Sequence, residues 1–163
     1  MTLKSSQYDF IKGFFEPKTS VQEKAWQIVW RKRVFSVYAI NHDSGTFFAN
    51  EEGLLVSFDG WQVVSLSMPG SLGKKTAVVN KVVSDNGAVS LEYESVESGS
   101  AQRHSCSSWQ ALSADSGLTG WNQSCEGSSG EYINEIRVNA KRQLVALKFM
   151  LVPGFEPIMI NLL

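Results

Sequence analysis

Turn signals recur so closely along this chain that helices have no room to form between them. Asp43-Ser44-Gly45, Glu52-Gly53, Asp59-Gly60, Pro69-Gly70 and Asn86-Gly87 separate short runs rich in Val, Phe, Leu and Ser. Such residues supply the tight or left-handed backbone that a chain reversal needs. Parallel strands require connections of a dozen or more residues, and these gaps are much shorter. The runs must therefore turn straight back on one another as antiparallel strands. The same logic holds at both ends of the strand region. Trp26, Ile28 and Trp30 alternate with Ala25, Gln27 and Val29 before Arg31-Lys32-Arg33 turns the chain into Val34 to Ile40. EYINEIRV and QLVALKFML flank Asn139 to Arg142, and Pro153-Gly154 leads into IMINLL.

The expected fold is mainly β, an antiparallel meander of about ten strands that buries one face by curling into an open barrel or by folding over as a sandwich. The pattern allows both. The chain has 163 residues, the size of one domain, and neither a linker nor a repeat of fixed period divides it, so residues 1–163 form a single domain. One short helix is expected at the N-terminus. Ser5 or Ser6 caps it, Tyr8, Ile11, Phe14 and Phe15 form its apolar stripe, and Pro17 helps to stop it. The Ser/Gly-rich stretch from Ser95 to Ser129 carries Trp109 and Trp121 and reads as strands with mobile loops.

Charge excludes one class of partner. Fifteen Lys and Arg face 16 Asp and Glu, a net charge of −1, so no basic field exists to neutralise a run of phosphates and nucleic acid is not an expected partner. No apolar run approaches the ~20 residues that a membrane helix needs. MTLKSSQYDF lacks the apolar core of a secretory signal, although a chain from which a signal had been cut would also begin with a new Met. The two cysteines, Cys106 and Cys125, either join in an oxidising compartment or are unrelated buried thiols. Spacing alone fixes no disulfide geometry. His42 and His104 lie far apart with no Cys-x-x-Cys or His-x-x-x-His pairing, so no metal site is expected.

Apparent motifs fail on context. GSLGKKT, Gly70 to Thr76, resembles a phosphate loop, but Met68 occupies the first glycine position and a strand-like run follows where a helix N-terminus would have to face phosphate. Asn122-Gln123-Ser124 fits a glycosylation sequon, a tripeptide that is common by chance. No Gly-x-Ser-x-Gly elbow surrounds any serine. Glu92, Glu94 and Glu97 are glycosidase candidates by type only, and alternation puts Glu92 and Glu94 on one face, most simply the solvated one. The expectation is a protein without catalytic residues or cofactor.

The order of YDFIKGFF, WRKRVFSVYAI, LLVSFDGWQVVSL and the terminal FMLVPGFEPIMINLL resembles the YjbF/GfcB family, bacterial lipoproteins of exopolysaccharide and group 4 capsule operons. The likeness covers both ends of the chain, about half its length, and is poor from Ser84 to Glu131. It implies a mainly antiparallel β protein on the periplasmic side of the outer membrane, held there only through a lipid anchor that is missing here. Its implied partners are polysaccharide or other envelope export proteins. Where the family tends to carry Arg after the hairpin glycine, this sequence has Trp61, so a shared role for that position does not carry over.

Two functions from different classes fit. The first is a non-catalytic envelope accessory protein that binds polysaccharide or assembly partners, with Trp61 and Trp121 as the candidate stacking residues. The second is a carrier that holds a hydrophobic ligand in a half-barrel cavity. Strand alternation assigns Trp61, Val63, Ser65 and Ser67 to one half-polar face and Gln62, Val64, Leu66 and Met68 to the other. General burial tendencies favour packing over binding for any Trp, whereas Trp61's place beside a turn favours partial exposure.

Overall fold

The structure, a computed structural model, describes residues 25–97 and 99–163. The helix expected over Ser5 to Phe15 lies outside the described residues. Among the described residues thirteen strands form one sheet: β1 (Trp26–Trp30), β2 (Arg33–His42), β3 (Gly45–Ala49), β4 (Leu55–Phe58), β5 (Val63–Ser67), β6 (Ala77–Val83), β7 (Val89–Ser95), β8 (Gln102–Cys106), β9 (Gln110–Asp115), β10 (Leu118–Gly127), β11 (Gly130–Val138), β12 (Leu144–Phe149) and β13 (Ile158–Leu162).

Neighbours pair antiparallel in the order β11-β12-β13-β1-β2-β3-β4-β5-β6-β7-β8-β10, and β10 pairs again with β11. That last ladder decides between the two architectures left open by the sequence. It makes a closed 12-stranded barrel with β9 as one extra strand. Closure is extensive here, with register running from Thr119↔Val138 to Gly127↔Gly130. Gly120 makes this approach possible, because a Cβ there would come within 1.9 Å of the Ile136 carbonyl oxygen. Since β11 occupies one edge of β10, β8 and β9 share its other edge. β8 pairs at Cys125↔Cys106 and Glu126↔Ser105, and β9 pairs from Leu118↔Asp115 to Asn122↔Gln110.

The interior is filled by alternate residues of successive strands, as a barrel of short strands requires. Trp26, Ile28, Trp30, Phe48, Val56, Leu66, Val79, Leu91, Ile136, Leu147, Phe149 and Ile160 are all buried. Side chains from non-neighbouring strands meet in the interior: Trp26 and Phe48 with centroids 5.1 Å apart, Phe58 and Phe149 6.2 Å apart. The alternation expected for β5 is broken. A register shift between Ser57 and Phe58 places an extra residue in β5, so Val63 and Leu66, expected on opposite faces, are both fully buried. A bulge of this kind bends the strand and re-aims its side chains.

Antiparallel order sends the β2–β3, β4–β5, β6–β7, β9–β10 and β11–β12 turns to one end of the barrel, with the start of β1. The other end is clamped by Arg31 in the β1–β2 turn. Its guanidinium lies over Trp30 at 4.3 Å and over Phe155 at 4.0 Å, and it forms a two-pronged ion pair with Glu97 beyond β7. The fork geometry of Arg suits both contacts. This pair holds the Glu97 carboxyl below the usual carboxylate range through Arg31's hydrogen bonds.

Candidate functional site

Toward the opposite end of the barrel Trp61, Trp109 and Trp121 come together. The β4–β5 turn is built by Asp59, whose Oδ1 accepts hydrogen bonds from the amides of Trp61 at 2.8 Å and Gln62 at 2.7 Å. Gly60 supplies a φ of 105°, a backbone state that glycine adopts without steric cost. The turn thereby fixes Trp61, whose ring lies 5.5 Å from that of Trp121 and 5.8 Å from that of Trp109. Trp109, between β8 and β9, rests in turn against the core ring of Phe149 at 5.9 Å. Trp61 is 50% exposed, while Trp109 and Trp121 are partly buried against the core. The arrangement is an aromatic platform: two indoles anchored in the barrel and a third laid over them with much of its surface free.

Trp61 and Trp121, the residues singled out from the sequence, are thus brought together. Trp109 belongs with them, and sequence reasoning did not select it. Its one signal was an aromatic within the Ser-rich SCSSWQ segment.

Cys106 and Cys125 are joined by a disulfide across a directly opposed pair, with Cα atoms 4.1 Å apart. It strengthens the narrow β8–β10 seam, where the ladder holds only two residue pairs. Beside it is a buried polar cluster whose members stand far apart in the chain. Tyr132 links two partners through its hydroxyl, Tyr93 Oη at 2.7 Å and His104 Nδ1 at 2.8 Å. Asn134 donates through Nδ2 to Gln123 Oε1 at 3.3 Å and accepts the Met150 amide at 3.0 Å. His104 is 1% exposed, its Nε2 has no hydrogen-bond partner among the described residues, and its ring occupies the space that a Cβ on Gly127 would take. Burial pushes the His104 pKa down. Burial also raises the phenols, Tyr132 to about 12 and Tyr93, further affected by its neighbour Tyr132, well beyond its ordinary value. Tyr93, Tyr132 and His104 Nδ1 are linked in one hydrogen-bonded chain, and Asn134 ties Gln123 to the Met150 amide.

The glutamates considered for catalysis are distributed by strand geometry. Glu92 pairs with Arg103 at 2.8 Å and Glu97 with Arg31, while Glu94 is exposed. Among the described residues, no group of three or more His, Cys, Asp or Glu side chains is placed to hold a metal ion.

Concavities among the described residues mark the wall, of which two bear on the site. The larger, about 810 Å³, lies over β8, β10, β11 and β12 and includes Glu126, Glu131, Glu135, Lys148, Ile133 and Met150. It presents carboxylates without the indole platform. The smaller, about 220 Å³, adjoins the Trp61 turn through Asp59 and Gln62.

Fold and site together define a closed antiparallel β-barrel with a packed interior and an aromatic platform at one end. Comparison with protein-family models, curated proteins and solved structures found no match.

Proposed function

We propose that this protein is a non-catalytic envelope accessory protein of the YjbF/GfcB type that binds polysaccharide, with Trp61, Trp109 and Trp121 as its binding platform. The observation carrying this reading is the half-exposed Trp61 fixed edge-to-face on Trp121. A pyranose ring has an apolar C–H face, and an indole held in place by other indoles offers a matching apolar surface at little further conformational cost. The turn hydrogen bonds of Asp59 add to that preorganisation. A packed interior favours this surface site over an enclosed cavity for a hydrophobic carrier. The disulfide supports a home in an oxidising compartment, in keeping with the periplasmic side of the outer membrane.

The test is affinity electrophoresis through gels cast with bacterial exopolysaccharides, paired with tryptophan fluorescence and a reducing-end assay. Retarded migration and a fluorescence change without new reducing ends are expected. Release of product from the polymer, abolished by a single Glu→Gln or Asp→Asn change, contradicts the non-catalytic reading. Unchanged mobility and fluorescence across the polymers contradict the platform.

A further inference from the structure

We infer that the saccharide taken by the Trp61 platform is anionic, its carboxylates met by Lys75 and Lys81 along the groove that adjoins the platform; this rests on the platform reading above. The groove has a structural origin. β5 and β6 pair only at Ser65↔Val78 and Leu66↔Ala77, whereas β6 and β7 pair along seven positions from Ala77↔Ser95 to Val83↔Val89. Beyond the short ladder the wall parts, and Gln62 reaches over the gap to donate from Nε2 to the Val79 carbonyl at 3.5 Å.

The opening of about 220 Å³ is bordered by Asp59, Gln62, Ser65, Lys75, Asn80 and Lys81. Asp59 and Gln62 flank Trp61 in the chain, so the groove begins at the foot of the platform. Its two ammonium groups are exposed, and neither is ion-paired with a carboxylate among the described residues. The single carboxylate of the groove is engaged by backbone, since Asp59 Oδ1 receives the Trp61 and Gln62 amides. The groove lining thus holds two cations and one carboxylate, while on the neighbouring strand Glu92 is paired with Arg103 and Glu94 is exposed outside the lining. Asn80, exposed at the border, adds a neutral hydrogen-bonding group suited to sugar hydroxyls. Lysine acts on a carboxylate as a mobile point charge, so each contact contributes modestly and is weakened by salt.

The test uses polygalacturonate, alginate and hyaluronan, each beside its carboxyl-reduced counterpart, which keeps the polymer and removes the charge. At low salt the native protein is expected to bind at least one acidic polymer about tenfold more tightly than its reduced form. Lys75→Gln with Lys81→Gln should erase that preference, as should raising the salt toward 1 M, where the screening length falls to ~3 Å. Both lysines are exposed, so the double variant is expected to melt with the native protein. Equal binding of acidic and reduced polymers, or a preference that survives in the double variant, overturns the inference while leaving the platform standing. Binding to neither form of any polymer overturns the inference and the platform together.

Discussion

Trp61 and Trp121 meet edge-to-face with ring centroids 5.5 Å apart, although one follows the β4–β5 turn and the other lies within β10. The contact joins a hairpin tip to the strand that closes the barrel. Its position at the end of a packed core makes Trp61 a half-exposed surface residue with a rigid foundation.

The β8–β10 seam has a ladder of only two residue pairs and the Cys106–Cys125 bond between them. Reduction, or the Cys106→Ser, Cys125→Ser variant, should therefore lower stability by about 3 kcal/mol, as the chain-entropy model gives for a loop of this length. Urea unfolding with and without reductant measures it. Coincident midpoints would show that the bond contributes nothing to the closed barrel.

The phenols make a second prediction, at alkaline pH. In the unfolded chain, Tyr93 and Tyr132 ionise near pH 10, while the folded protein keeps Tyr132 protonated to about pH 12 and Tyr93 higher. The unfolded state then sheds protons that the native state retains, so stability should fall as pH rises above ~10. Phenolate absorbance near 295 nm should show two tyrosines ionising only with unfolding. Free titration of every tyrosine in the native barrel would contradict their burial.

His104 acts at the acid end with the opposite slope. Its folded pKa lies below the unfolded value of about 6.5, so the unfolded chain binds a proton first. Its contribution is complete above that value and is lost as pH falls through the folded pKa. His104→Phe should flatten the decline in melting temperature below pH ~6.5. An unaltered slope would place its origin elsewhere.

Asn134, fully buried, serves both the Met150 amide and Gln123. Removing it leaves a buried donor and an acceptor without partners, each costing about 1–3 kcal/mol. Asn134→Ala should therefore destabilise by about 2–4 kcal/mol in thermal or urea unfolding. A near-neutral change would mean that the network is dispensable.

Much of the fold was legible because turn chemistry is local. Asp59-Gly60, Asn86-Gly87 and the Asn139–Arg142 reversal all lie between paired strands. Closure was not legible, since whether β10 meets β11 as a barrel wall depends on the summed curvature of the whole sheet and on the tolerance at Gly120. The bulge at Ser57/Phe58 defeated strict alternation in β5, because one inserted residue reverses the facing of those after it. Trp61 and Trp121 could be chosen individually from their turn and glycine contexts. Trp109 could not, because only the register of distant strands brings it to Trp61, and Lys75 and Lys81 could not, because only the parting of β5 from β6 opens the groove they border. The same reason hid the Tyr93–Tyr132–His104 cluster.

The most direct test of the platform is Trp61→Ala, read by binding and melting together on a polysaccharide that the native protein retains. A half-exposed indole that meets its neighbours at edge-to-face distance should cost only about 0.5–1.5 kcal/mol of stability, well short of the ~3–5 kcal/mol for a core Trp. The predicted result is loss of at least tenfold in affinity, on the order of 1.4 kcal/mol, with a melting temperature within a few degrees of native. Native affinity at a native melting temperature, or a collapse in melting temperature of the size expected for a core residue, would contradict the platform.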